Sequence, residues 1–136
     1  MKLMRMIPAL PVRDIETAVT FYRAKLGFAI GYHDNSFAIT SRDDVEIHLW
    51  AANDQSWKSR LLTIESPPVI SGAESFLART ASCRLEVQGI DDLYAEYKEN
   101  EILYNSEAVV EAQPWGTREF PALDLERNLL TFYERV

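Results

Sequence analysis

Residues 7–28 read IPALPVRDIETAVTFYRAKLGF. A short apolar run broken by prolines leads into a stretch in which Ile15, Val19, Tyr22 and Leu26 recur at helical spacing. Asp14 has the short acceptor side chain suited to an N-cap, and Gly27 supplies the left-handed stop. The pattern therefore predicts a strand, a turn and an amphipathic helix. Three strand-like runs follow, the last being VEIHLWAA at 45–52.

The plan then returns. SCRLEV at 82–87 precedes QGIDDLYAEYKENEIL at 88–103, where Ile90, Leu93, Tyr94 and Tyr97 form a second stripe behind Gly89 or Asp91, with Asn100 near its end. Three more runs close on NLLTFYERV at 128–136. Each half reads strand, helix, strand, strand, strand. A unit of this size cannot bury its own sheet face, which is the physical reason to pair two of them. The expected fold is α+β: one domain over 1–136, with module one at about 1–52 and module two at about 82–136. The connection from about 53 to 81 holds Pro67, Pro68, Gly72 and Trp57. Connections this long inside compact domains are functional or flexible, so a mobile flap is expected there, not a domain boundary.

Composition narrows the function classes. The 136 residues include 14 basic and 21 acidic side chains, for a net charge of −7. Phosphate binding needs clustered Lys and Arg, so a nucleic-acid partner is not expected. The acidity suits a cationic ligand, and simple solubility explains it as well. Cys83 is the one cysteine, which excludes an intramolecular disulfide and fits a reducing compartment. MKLMRMIPALPVRD at 1–14 makes neither a signal h-region nor a membrane span, so a cytoplasmic protein without a membrane partner is expected.

Strand alternation assigns faces. Leu10, Val12, Ile47, Leu49, Cys83, Leu85, Val87, Leu130 and Phe132 should pack under the helices. Ile7, Ala9, Pro11, Glu46, His48, Trp50, Ser82, Arg84, Glu86, Leu129, Thr131 and Tyr133 then face the other way. A face that mixes aromatic and charged residues suits a cleft better than bulk core or bulk surface. The same reading makes Cys83 an inert core thiol.

IPALPVRDIETAVTFYRAKLGF, with the strands that follow it, resembles the glyoxalase/bleomycin-resistance/extradiol-dioxygenase superfamily, the vicinal oxygen chelate proteins. SFAITSRDDVEIHL (36–49), GIDDLYAEYKE (89–99) and above all QPWGTREF (113–120) are similar to the bleomycin resistance proteins. The resemblance implies two βαβββ modules forming a cup, paired as a homodimer whose sheets make two equivalent clefts. It departs from the family pattern in the long connection and in DLERN at 124–128, which stands where DPxG is usual.

The superfamily's enzymes hold a divalent metal through His or Glu at four cup-facing places. The corresponding residues here are Ile7, His48, Ser82 and Thr131. A catalytic zinc or iron site needs at least three N, S or carboxylate donors, so neither a metal, a cofactor nor catalytic residues are expected. What the resemblance then implies is a protein that sequesters a planar, cationic, bleomycin-type antibiotic without altering it. Carried over by motif, Trp115 and Gly116 line the cleft beside Gln113, with Phe37 as the second stacking ring and Asp34 toward a cationic tail. Trp50 and His48 join them by strand parity alone. Proline before Trp115 and glycine after it are turn residues, which would hold the ring where a ligand can reach it.

Other readings stay open at this stage. Trp115 also suits a lid over its own sheet edge, and Phe37 a core position. Arg118 is expected to be a solvated rim charge by default, with Glu111 or Glu119 as partners within reach. A glyoxalase-like or dioxygenase-like enzyme with an atypical metal site around His48, Glu46 and Glu86, a binder of another small molecule, and a structural dimer without ligand are the alternatives.

Overall fold

The computed structural model describes residues 1–2, 4–52 and 81–136. The expected flap and Trp57 lie outside the described residues. The first module consists of β1 (Ala9–Val12), α1 (Ile15–Ala24), β2 (Ala29–His33), β3 (Phe37–Arg42) and β4 (Val45–Ala51). The second repeats the order as β5 (Ser82–Glu86), α2 (Ile90–Glu99), β6 (Glu111–Gln113), β7 (Thr117–Leu123) and β8 (Leu129–Arg135). Each forms its own four-stranded sheet, ordered β1-β4-β3-β2 and β5-β8-β7-β6. β1 runs parallel to β4 and β5 parallel to β8, because in each module the helix carries the chain across before the antiparallel meander begins. The two-module α+β architecture is as the sequence suggests. No helix among the described residues is long and apolar enough to cross a membrane.

The helices form where local chemistry favours them. Asp14 Oδ2 accepts the backbone N–H of Thr17 at 2.8 Å and its hydroxyl at 2.7 Å, capping α1. α2 begins behind Gly89, not Asp91: Gly89 is left-handed and makes no side-chain cap bond. Asp91 and Asp92 instead supply negative charge to the first turn of α2, which complements its dipole. The predicted inward positions hold, while Pro11, expected on the outward face, is buried as well. Leu10, Val12, Ile47, Leu49, Leu85, Leu130 and Phe132 lie buried with the helix stripes in a single apolar cluster that spans both modules. Within it Phe120 and Phe132 stack at 5.4 Å, and Tyr97 meets both edge-on. Cys83 packs against this cluster, and burial raises its thiol pKa to about 11.

Two seams join the modules on their helix sides. At the end of α1, the carbonyl of Leu26 accepts the Tyr97 hydroxyl at 2.8 Å and an Arg42 N–H at 2.7 Å. The Lys25 carbonyl accepts from Asn100 at 2.9 Å. Helix ends leave orphan carbonyls, and here side chains of the second module satisfy them. Arg42 also grips Glu96 with two bonds of 2.9 and 3.0 Å. Gly27, at φ +73, leaves room for this, since a Cβ there would meet Arg42 Nη1 at 2.5 Å.

The second seam is the turn between β7 and β8. Buried Asp124 accepts backbone N–H groups of Glu126 and Asn128, the Asn128 amide, and the hydroxyl of Tyr22 from α1. Beside it, buried Glu126 accepts the backbone N–H of Arg13 at 2.7 Å and pairs with its guanidinium at 2.6 Å. Burial pushes the Asp124 carboxyl above its usual range, with the four donors pulling the other way. Replacing Asp124 with Ala strands those donors in a dry turn. It should cost about 2–4 kcal/mol. Urea unfolding followed by circular dichroism should show a lower midpoint at unchanged slope.

Candidate functional site

The outer face of the first sheet carries Phe37 opposite Trp50 and Ile39 opposite His48 across β3 and β4. Phe37 stands edge-on to the His48 ring, with centroids 5.2 Å apart at 76°. His48 Nε2 lies 2.6 Å from Glu46 Oε1, and Arg5 reaches the other carboxylate oxygen at 3.0 Å. The bond to His48, followed by the charge of Arg5, holds the Glu46 carboxyl below its ordinary pKa. Trp50 is half-buried, its indole N–H donating to the Ala9 carbonyl at 3.4 Å. The sequence suggested Asp34 as a contact for a cationic tail. In the structure it organises the β2–β3 turn, accepting Ser36 N, Ser36 Oγ, Phe37 N and the Tyr32 hydroxyl at 2.6–2.9 Å. Those donors hold its carboxyl far below the usual range. Asp34 thereby anchors the start of β3, which sets where Phe37 stands.

On the second sheet the corresponding hairpin is Gln113–Pro114–Trp115–Gly116. Gln113 pairs with Thr117, and Gly116 N donates to Gln113 O at 3.1 Å. Gly116 adopts φ +86, with open space where a Cβ would lie. A three-residue hairpin loop that ends in a left-handed residue wants glycine there and tolerates proline at its first position. Trp115, between them, is pushed off the sheet and left 64% exposed. Its indole N–H donates to Glu119 Oε1 at 2.9 Å. Glu119 also accepts the Thr117 hydroxyl at 2.6 Å and both terminal nitrogens of Arg84, whose guanidinium lies 4.9 Å over the Tyr133 ring. Arg84, then Thr117 and Trp115, lower the Glu119 pKa to about 2 against the cost of burial. The carboxylate therefore stays ionised at any ordinary pH.

The predicted residues thus fall into two groups on different sheets. Phe37, His48, Trp50 and Asp34 sit together on the first, and Trp115, Gly116 and Gln113 on the second. A cavity of about 440 Å³ opens beside Gln113 and Glu119, with Glu107, Glu111, Pro121 and Thr131 on its walls. A larger one, about 580 Å³, lies between the modules over Phe28, Leu85 and Tyr97; it touches none of the seven residues in those two groups, though Glu86 lines it. One pairing differs from the sequence reading, and one unit was missed. Arg118 reaches neither Glu111 nor Glu119: it points to the helix side and pairs with Asp91 at 2.7 and 3.0 Å. Glu119, Arg84 and Thr117, which hold the Trp115 ring edge, were missed as a unit. Their shared face was the available signal, with Glu119 two residues beyond Thr117 on β7.

Of the four metal places that the resemblance implied, Ile7 has no donor, Ser82 and Thr131 carry only hydroxyls, and His48 alone is an imidazole, its Nε2 lying against Glu46. Among the described residues no group of three His, Cys, Asp or Glu side chains could hold a metal.

Residues 5–41 match the family model described as bleomycin resistance protein-like N-terminal. Bleomycin resistance proteins of Geobacillus stearothermophilus and Staphylococcus aureus are 43% identical to this chain over 134 residues, covering 98% of each chain. Among solved structures, a bleomycin-binding protein from Streptomyces verticillus complexed with copper(II)-bleomycin shares the fold, with a TM-score of 0.71 and 23% identity over 97% of this chain and 96% of that one. A bleomycin resistance determinant encoded on the transposon Tn5 does so at 0.70, with 22% identity over 98% of each. With its two βαβββ modules, its tryptophan hairpin and 43% identity along nearly its whole length, the chain belongs to the bleomycin resistance protein family.

Proposed function

We propose that this protein is a metal-free binding protein that, as a cytoplasmic homodimer, sequesters a planar cationic antibiotic of the bleomycin type without modifying it. The observation that carries the reading is Trp115: a large ring raised on a hairpin, tied at its edge and open on its face. An indole held out on a hairpin presents an aromatic surface on which a planar group can stack. The relatives named for bleomycin resistance support the ligand class. Acidic Glu107 and Glu111 beside Gln113 give the neighbouring cavity a wall suited to a cationic tail. Phe37 and Trp115 occupy different sheets, so a second copy is the means by which one ligand is clasped between them. Trp50 and His48 complete the first half, and Gln113 and Gly116 the second. Donor chemistry supports sequestration over metal catalysis, since His48 with Glu46 offers one imidazole and one carboxylate, fewer than the three donors a catalytic ion takes.

Titration with bleomycin, followed by tryptophan fluorescence, should give saturable quenching. Stacking contributes about 0.5–1.5 kcal/mol per aromatic pair beyond the area buried. Trp115→Ala, which removes that area as well, should therefore weaken binding by about tenfold or more. No saturable quenching by the wild-type protein up to high micromolar drug would reject the ligand.

The enzyme reading, a metal held around His48 and Glu46, is decided by elemental analysis of protein purified without chelators. The expected metal content is far below one equivalent per chain. One equivalent of Fe, Mn, Ni or Zn that is lost in His48→Ala would replace sequestration with metal chemistry.

A further inference from the structure

We propose that Glu119 is the positioning residue for the Trp115 indole, fixing the orientation of the ring before any ligand arrives. The inference rests on reading Trp115 as the stacking ring and deepens it. The hairpin sets the backbone of Trp115 but leaves its two side-chain torsions free. A ring 64% exposed has little packing to select a rotamer. An indole carries one hydrogen-bond donor, and here that donor is committed to Glu119 Oε1 at 2.9 Å.

Glu119 is itself immobile. It is 8% exposed, sits within β7, and has its charge clasped by Arg84 from β5. The Thr117 hydroxyl closes on the same oxygen at 2.6 Å. Arg84 in turn lies over Tyr133 of β8. The exposed ring is thereby referenced to three strands through one carboxylate. A charge-assisted bond of this kind is stronger than a neutral one, and pairing with Arg84 means that no unbalanced charge is buried to obtain it. A surface already set in place loses less freedom on binding, so the effect belongs in affinity.

Glu119→Ala and Glu119→Gln separate this from a merely structural role, with Trp115→Phe used to assign the indole N–H resonance. In the wild-type protein without drug, the Trp115 indole N–H should exchange with solvent more slowly than that of an unbonded exposed indole. Glu119→Ala should accelerate that exchange and weaken bleomycin binding by about fivefold or more, as expected when a preset contact must be ordered on binding. Glu119→Gln, which keeps an acceptor oxygen, should restore slow exchange and bring affinity back to within about threefold of wild type.

Unchanged exchange and unchanged affinity in Glu119→Ala would overturn the proposal while leaving the stacking role of Trp115 intact. Fast indole exchange in the unmodified protein would overturn it without any variant. Wild-type protein that binds no bleomycin would defeat the functional reading instead, a separate outcome, because the exchange measurement needs no drug.

Discussion

The arrangement depends on how the end of α1 is satisfied. A helix leaves its last carbonyls unpaired, and a buried unpaired carbonyl is costly. Leu26 and Lys25 find their donors in the second module, through Tyr97 and Asn100, while Arg42 bridges Leu26 O to Glu96. The β7–β8 turn adds Tyr22 to Asp124 and Arg13 to Glu126. These bonds require the modules to meet with their helix sides together. Once that is so, the apolar faces share one core and both mixed faces must look outward. The position of every candidate ligand residue follows from that orientation.

On those outward faces the two modules use one design twice. Phe37 opens β3 just past the β2–β3 turn, and Trp115 stands just before β7 on the β6–β7 turn. Both lie where the second and third strands of a module meet, but not in the same register: Phe37 is itself a strand residue facing Trp50, whereas Trp115 stands on the loop two residues before Thr117 opens β7. Each ring is set by a turn built from hydrogen bonds close in sequence, the Asp34 cap in one and the Gly116 hairpin in the other. Each is then braced by a charged relay across strands. Phe37 leans on His48, which meets Glu46 and Arg5; Trp115 bonds to Glu119, which meets Arg84 over Tyr133.

Much of this is legible in the chain because it is local. Period-two alternation placed Leu85 inward and Arg84 outward, and helical spacing named Tyr22 and Tyr97 as core. The proline and glycine around Trp115 announced an exposed loop before any fold was known. What escaped is what local pattern cannot encode. The Arg42–Glu96 pair joins residues far apart in sequence, and Asp124 with Tyr22 joins the two modules. Arg118 remains a partly exposed charge, as its default reading has it, but its partner is neither nearby glutamate: it lies on the helix-facing side of β7, where the first turn of α2 presents Asp91. Asp34 was read as facing a ligand because an acidic turn residue fits either use, and only the count of its donors separates them. Trp57 and the connection around it lie outside the described residues.

The contrast between a metal site and a stacking site follows from what each asks of a sheet. A catalytic ion needs three or more donors converging on one point, so the strands must bring side chains inward to a common centre. A flat ligand needs separated, nearly rigid planes and charges that balance among themselves. The outer faces here meet the second demand. Carboxylates are partnered along the strands, Glu46 with the His48 ring, Glu119 with Arg84 and Glu86 with Arg135. Donors already engaged in pairs are poorly placed to desolvate an ion, but the same pairs hold aromatic rings still. The same side-chain pairs that leave few uncommitted donors among the described residues are the ones that brace the Phe37 and Trp115 rings.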